Sequence, residues 1–413
     1  MRPVNTIDPK PWMTSPATRQ VLTALTQRGQ IVRFVGGCVR DSLLGRAIKD
    51  IDLATPDDPE TVTALLEAAG VTAIPTGIEH GTITAVAHNQ HFEITTLRRD
   101  AETFGRHARV EFTDDWIADA QRRDLTINAI YCDPDGTLYD PTGGRDDLAV
   151  GRIRFVGDPE ARIREDYLRI LRFFRFLAWY GRSEYAVEAI KACALLAPKT
   201  AGLAGERIAA ELFTTLEAPD PVPVFETMVR HRILEAVTPE LCDINRLRSL
   251  CAFEGAVGVA DPLRRFAALI VGNTGAATTI GDRLNLSGKQ RQRLITITQG
   301  SELVAVEMNK KAARVALYRL RQEAFADLVL LEFASGSDID RGAGPARALL
   351  AYADSWSIPT LPISGRDLLG QGIPEGPRIG RQLEELETWW VANDFEPDRR
   401  AMLDRVTSVS GSD

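Results

Sequence analysis

The stretch Gly36-Gly37-Cys38-Val39-Arg40-Asp41, followed nine residues later by Asp50-Ile51-Asp52, decides the fold. Apolar Ile31 to Val35 predicts a short strand, the two glycines a tight turn, and Cys38 to Leu44 a helix closed by Gly45. A helix start carries unpaired amides and partial positive charge, to which Arg40 adds a full charge one turn in. Triphosphate oxygens are therefore expected at Gly37 and Arg40. Asp50-Ile51-Asp52-Leu53 alternates acid and aliphatic, so as a strand it buries Ile51 and Leu53 and sends both carboxylates to the other face. Alone, the two acids fit a solvated turn equally well; the glycine turn upstream weighs against that. Paired hard oxygen ligands suit Mg²⁺, and two such ions would activate an attacking hydroxyl and stabilise a leaving pyrophosphate. Phe92-Glu93-Ile94-Thr95 reads as a neighbouring strand that places Glu93 beside the pair as a third metal ligand.

Farther along, Asp166 and Arg169 are three residues apart, so on one helix they share a face and present an acceptor beside a donor. Cytosine and adenine show an amino donor next to a ring-nitrogen acceptor, which that pair matches. Uracil and guanine would meet like against like and stay unpaired. Arg172 and Arg175 continue the stripe, and seven arginines fall between Arg152 and Arg175. Asp158, Glu160, Glu165 and Asp166 make a solvated face with ion pairs the plainer reading. Against it, Phe173, Phe174, Phe176 and Leu177 claim the opposite side for a core, which leaves the arginines to line a cleft.

These motifs carry a resemblance. Gly36-Gly37-x-x-Arg40-Asp41 with Asp50-x-Asp52 resembles the head of the class II CCA tRNA nucleotidyltransferases and bacterial poly(A) polymerases, in the polymerase-β-like superfamily. Arg122-Arg123-Asp124-Leu125-Thr126-Ile127-Asn128-Ala129 is similar to that family's second motif, with Leu125 where an aromatic is usual. Asp140 to Leu148 resembles the turn that follows, and Glu165-Asp166-x-x-Arg169-x-x-Arg172-x-x-Arg175-Phe176 resembles its nucleotide-selecting helix. The resemblance implies an α+β fold, with a nucleotidyltransferase head of small mixed sheet and helices followed by an all-helical neck, body and tail. It assigns metal-bound catalysis to Asp50 and Asp52. It assigns nucleotide contact to Arg123, Arg172 and Arg175 besides Gly37, Arg40, Asp166 and Arg169.

The organisation expected is a catalytic head over 1–150, a neck over 151–215, and a body and tail over 216–413 that binds tRNA. Arg152 to Val156 reads as a strand leading into the neck. Helix breaks are expected at Pro219 to Pro223, Asn273-Thr274-Gly275, Gly336-Ser337-Asp338 and Gly342-Ala343-Gly344-Pro345. Leu97 to Phe112, polar and charged around Gly105, reads as a mobile loop; in full CCA-adding members a similar loop assists the change from C to A, so its presence favours complete CCA addition. Ile363 to Pro377 reads as a helix–turn–helix packing element in preference to a phosphate contact.

Several classes are disfavoured. The five histidines form no zinc-site or phosphohydrolase spacing, and the five cysteines are scattered and odd in number, as suits reduced thiols. No run approaches 18 apolar residues and the N-terminus lacks an apolar signal core, so the expected location is the cytoplasm, without a membrane partner. A net charge of −8 disfavours a processive polymerase gripping arbitrary RNA and favours selective contact through a local basic groove. No obligate protein partner is evident. The expected activity is addition of CCA to tRNA 3′ ends from CTP and ATP. Poly(A) addition is the nearest rival, CC-only or A-only addition a third possibility, and a noncatalytic RNA-binding protein a more distant one.

Overall fold

The computed structural model describes residues 1–104, 107–182, 187–270, 275–336 and 339–410. Two compact units divide the chain, Met1–Pro239 and Glu240–Asp413. The first is built on a mixed sheet of strands β1 (Asn5–Thr6), β2 (Arg33–Val35), β3 (Ile51–Thr55), β4 (Thr72–Gly77), β5 (Thr82–Ala87) and β6 (Gln90–Thr96). A separate hairpin follows, β7 (Arg98–Phe104) with β8 (His107–Phe112), before β9 (Tyr131–Cys132) and β10 (Thr137–Tyr139) rejoin the main sheet. Its order is β1-β10-β9-β2-β3-β6-β5-β4, with β3 and β6 parallel and the other pairs antiparallel.

Helices α1 (Pro16–Leu25), α2 (Gly37–Leu43) and α3 (Pro59–Ala68) punctuate the early strands. Both α1 and α3 start by one local rule: Ser15 and Asp58 accept hydrogen bonds from the backbone three residues on, and a proline follows at the first helical position. Helices α4 (Trp116–Gln121), α5 (Gly144–Val150), α6 (Pro159–Glu165), α7 (Arg169–Tyr180), α8 (Val187–Leu196), α9 (Gly205–Leu216), α10 (Val222–Arg230) and α11 (Ile233–Val237) complete the unit. The proline cluster 219–223 separates α9 from α10, as expected.

Three local readings are corrected. The polar segment from Leu97 to Phe112 pairs with itself as the β7–β8 hairpin, opposite charges meeting at Arg99 and Glu111, 2.8 Å apart. Side-chain polarity does not reveal self-pairing, which satisfies the backbone whatever the side chains are; Gly105 and Arg106, within the expected loop, lie outside the described residues. Arg152 to Val156 forms no strand but isolated bridging only, including Leu125 to Phe155, whose partner segment turns at once into a 3₁₀ turn over Thr126–Asn128. The break expected at Gly342 to Pro345 is absent, and helix Ile339–Ser355 carries Pro345 inside it. Packing outweighs the local signal there: Gly342 lies so close to Phe253 that a Cβ would sit 3.3 Å from its ring. Asn273 and Thr274, and Ser337 and Asp338, lie outside the described residues.

The second unit is helical throughout its described elements, Ile244–Val257 through Arg399–Ser410. Ile363, Leu368 and Ile373 are buried with Leu386 and Trp390, so the segment before helix Pro377–Ala392 packs as a helix–turn–helix. No helix among the described residues is long and apolar enough to cross a membrane.

Candidate active site

The parallel pairing of β3 with β6 sets Asp52 directly opposite Glu93. Ile51 and Leu53, and Phe92 and Ile94, are buried on the other face, so the alternation read in the sequence does orient the acids. Asp50 is exposed and immediately precedes β3. Burial pushes the Asp52 carboxyl up to about 6, with Glu93 and Asp50 adding to the rise and Arg123 and Arg40 opposing it. Those repelling carboxylates, all hard oxygen donors, suit a divalent cation that would relieve them. No three His, Cys, Asp or Glu side chains among the described residues are yet gathered closely enough to hold one together.

Gly36 shapes this corner. Its φ of +73° and ψ of −127° are open essentially to glycine, and a Cβ there would lie 3.5 Å from Asp52 Oδ2. At Gly37 an added Cβ would likewise make only ordinary contacts, 3.9 Å from Asp52 and 3.8 Å from Arg40, so the demand for glycine is the positive φ of its neighbour. Gly36→Ala is expected to cost about 1–3 kcal/mol in urea denaturation and to displace the turn from Asp52, lowering turnover. An unchanged midpoint with unchanged turnover would contradict this.

Arg40 is buried, and its charge is already engaged: Asp41 takes two of its N–H groups at 3.0 and 2.9 Å, Asn128 Oδ1 one at 2.7 Å, and the Tyr180 hydroxyl another at 2.7 Å. It also lies over the Tyr180 ring at 4.2 Å. Arg40 thus joins the turn after β2 to the end of α7. The cleft in front of the carboxylates, about 520 Å³, is lined by Gly37, Arg40, Asp50, Asp52, Glu93 and Arg175 among others. Arg46 and Lys49 also line it and were missed by the motif reading. Their signal was their position: two cations in the short linker between the glycine turn and the acids.

A second cleft in the same unit, about 280 Å³, brings together Arg123, Asp166, Arg169 and Arg172 with Arg122, Asp124 and Arg207. Five arginines against two aspartates make it basic. The predicted arginine stripe therefore splits, Arg169 and Arg172 facing this cleft and Arg175 the carboxylates.

Asp166 and Arg169 do not share a helix. Helix α6 ends at Glu165, Asp166 is extended (φ −150°, ψ 109°), and α7 begins at Arg169. The Asp166 carboxylate accepts the Leu168 N–H at 3.0 Å, a local bond that competes with helix continuation.

Each of the seven arginines from Arg152 to Arg175 is ion-paired, so those that line the two clefts do so with their charges engaged. Arg162, Arg164 and Arg169 pair locally with Glu160 and Glu165, as the ion-pair reading had it, whereas the partners of Arg152, Arg154, Arg172 and Arg175 are Asp147, Asp124 and Glu211, which spacing along one helix cannot show. Arg169 meets Glu165 at 2.5 Å, Arg172 meets Asp124 at 2.5 Å, and Arg175 meets Glu211 at 3.0 Å. Burial alone would raise Asp124; Arg172 overrides it and holds the acid at about 2. Arg123 is locked in the same manner, its Nη2 donating to Asp119 at 3.0 Å and its Nε to the buried Tyr131 hydroxyl at 3.1 Å. Cys38 is buried against the carbonyls of Val35 and Asp52, and burial pushes its thiol up to about 12, so no cysteine nucleophile serves this cleft.

Known proteins resemble this chain over nearly its full length. Residues 32–154 match the "Poly A polymerase head domain" and residues 186–244 the "Probable RNA and SrmB- binding site of polymerase A". The CCA tRNA nucleotidyltransferase 1, mitochondrial, of Danio rerio is 34% identical over 94% of this chain and 89% of its own. The CCA-adding enzyme of Leuconostoc mesenteroides is 30% identical over 92% and 93%. The crystal structure of the Bacillus stearothermophilus CCA-adding enzyme in complex with CTP superposes with a TM-score of 0.78 at 26% identity, covering 97% of this chain and all of that one. Kinship at that level over nearly the full length, with the glycine turn beside paired carboxylates, makes this chain a nucleotidyltransferase of the class II CCA tRNA nucleotidyltransferase and poly(A) polymerase family.

Proposed function

We propose that this protein adds CCA to tRNA 3′ ends from CTP and ATP. The observation that carries this reading is one unit holding two clefts, one with Asp52 opposite Glu93 and one with Asp166 and Arg169. In each step the RNA terminal hydroxyl attacks the nucleotide α-phosphorus, a P–O bond forms, and pyrophosphate leaves with the electrons of the broken bond. A divalent cation, Mg²⁺ in our reading, held by Asp50 and Asp52 with Glu93, supplies when bound the charge that lowers the pKa of the hydroxyl and neutralises the transferring phosphoryl group. Arg40 stiffens the turn at Gly37 that cradles the triphosphate, and Arg175 adds positive charge to that cleft. Arg123, Asp166, Arg169 and Arg172 hold the base, Asp166 accepting from the amino group of cytosine or adenine and Arg169 donating to the ring nitrogen.

In this reading residues 1–150 form the catalytic head, 151–215 the neck, and 216–413 the helical body and tail that carries tRNA. The five cysteines, all described, form no disulfide, which supports a reducing compartment such as the cytoplasm.

The test is incubation of purified protein and Mg²⁺ with a tRNA transcript lacking its CCA end, with CTP, ATP or both, read at nucleotide resolution. Three added residues requiring both nucleotides is the expected result. A long ladder from ATP alone would replace the reading with poly(A) addition, two residues from CTP with CC addition, and no product with a noncatalytic RNA-binding role.

A further inference from the structure

Asp166 lies outside the helix that carries Arg169, so helical geometry does not aim its carboxylate. Two other groups do. Oδ1 accepts the Leu168 N–H at 3.0 Å, and Oδ2 accepts Arg207 Nη2 at 2.8 Å. Arg207 comes from the first turn of α9, 41 residues away, and lines the same cleft. Its opposite number, Arg169, is anchored more heavily: Nη1 donates to Glu165 Oε2 at 2.5 Å and to the Arg162 carbonyl at 3.1 Å, and Nη2 to the Arg122 carbonyl at 3.4 Å. The donor half of the pair is thus fixed by three contacts, two of them within seven residues and one to the Arg122 carbonyl 47 residues away. The acceptor half depends on one short local bond and one distant arginine.

We infer that Arg207 is a specificity-determining positioning residue, holding the Asp166 carboxylate in the plane from which it distinguishes an amino donor from a carbonyl on the incoming base. This rests on the reading of Asp166 as a base-contacting carboxylate. A carboxylate offers about four acceptor sites, so one N–H on each oxygen leaves further lone pairs for the nucleotide. Without Arg207 only Oδ1 remains tethered, and the carboxylate can turn. A turned carboxylate still attracts cations and water but no longer penalises the misplaced carbonyl of uracil, because the penalty requires an acceptor held against an acceptor. The effect therefore falls on discrimination more than on turnover.

Side-chain exposures of 45% for Arg207 and 35% for Asp166 mean that the pair adds little to folding, so the variant is expected to fold. Single-nucleotide addition to a tRNA transcript would be measured with CTP and with UTP for wild type, Arg207→Ala, Arg207→Lys, Asp166→Ala and the Asp166→Ala/Arg207→Ala double variant, each with its melting temperature. Arg207→Ala should lower the CTP-to-UTP ratio of kcat/KM by roughly 3- to 10-fold with an unchanged melting temperature. Arg207→Lys should restore part of the ratio, and in the Asp166→Ala background loss of Arg207 should change the ratio no further. An unchanged ratio in Arg207→Ala, while Asp166→Ala loses discrimination, would overturn the role of Arg207 and leave the base reading intact. A ratio untouched by Asp166→Ala would overturn the base reading and this inference together. A further drop in the double variant would overturn positioning, because Arg207 would then act other than through Asp166. Should Arg207→Ala melt early, Arg207→Lys and the double-variant comparison at a permissive temperature carry the same decision.

Discussion

Asp52→Ala is expected to reduce nucleotide incorporation into tRNA by on the order of 10³-fold or more, and the folded protein should survive the change. The carboxylate sits where burial and Glu93 both disfavour its charge, so the native state pays for keeping it ionised at neutral pH. The sign follows from the shift: its folded value is about 6 and its ordinary value 3.8. Below about pH 4 the acid is protonated in both states and contributes no penalty. Between those values the penalty grows, and above about pH 6 it is fully present, up to about 2–3 kcal/mol. In metal-free buffer the isosteric Asp52→Asn should therefore melt higher than wild type at pH 8 and converge with it towards pH 4. Added Mg²⁺ should raise the wild-type melting temperature, since an ion bound only by the folded state stabilises it, and should raise that of Asp52→Asn much less. Full activity in Asp52→Ala, or an Asn variant no more stable than wild type at pH 8, would contradict the assignment.

The second large effect belongs to stability alone. Replacing Asp327 with alanine should destabilise the unit formed by residues 240–413 by about 3–5 kcal/mol, read as a shift in the urea midpoint of its transition. Asp327 is 1% exposed and accepts Arg264 Nε at 3.0 Å, Arg293 Nε at 2.7 Å and Arg293 Nη2 at 2.7 Å. Arg264 is itself buried and turns its Nη1 to buried Glu254 at 2.9 Å. The network links helices Ile244–Val257, Pro262–Leu269, Gly288–Gln299 and Lys310–Ala334, with Glu254, Arg264 and Asp327 buried and Arg293 14% exposed. Removing one acid leaves guanidinium charge desolvated with fewer partners, which costs far more than an intact pair contributes. A change under about 1 kcal/mol would mean that water or a neighbouring carboxylate reaches the gap.

Some of this architecture is written in short-range pattern. The glycine turn, the alternation through Asp50 to Leu53, and the apolar side of α7 each follow from residue type and period, since a strand repeats every two residues and a helix every 3.6. Phe92 to Thr95 was legible as a strand for the same reason. That it runs parallel to β3, with Glu93 opposite Asp52, is a matter of pairing between segments 41 residues apart. The family of the chain was also legible, because its motifs are local in sequence and occur together in order.

Partners across the fold were not legible. Spacing put Asp166 and Arg169 on one helix, but the Asp166 side chain captures the Leu168 N–H and ends α6 before α7 begins. Composition made Arg152 to Arg175 look like a free basic groove; the buried acids that claim Arg172 and Arg175 come from Asp124 and from Glu211 on α9. Residue type alone thus determined where the chain turns, which faces are apolar and which acids and arginines exist to be used. Only the tertiary structure decided which of the distant charges meet, because such an ion pair depends on a few ångströms between side chains that the sequence separates by tens of residues, and those distances fix which acid each arginine engages.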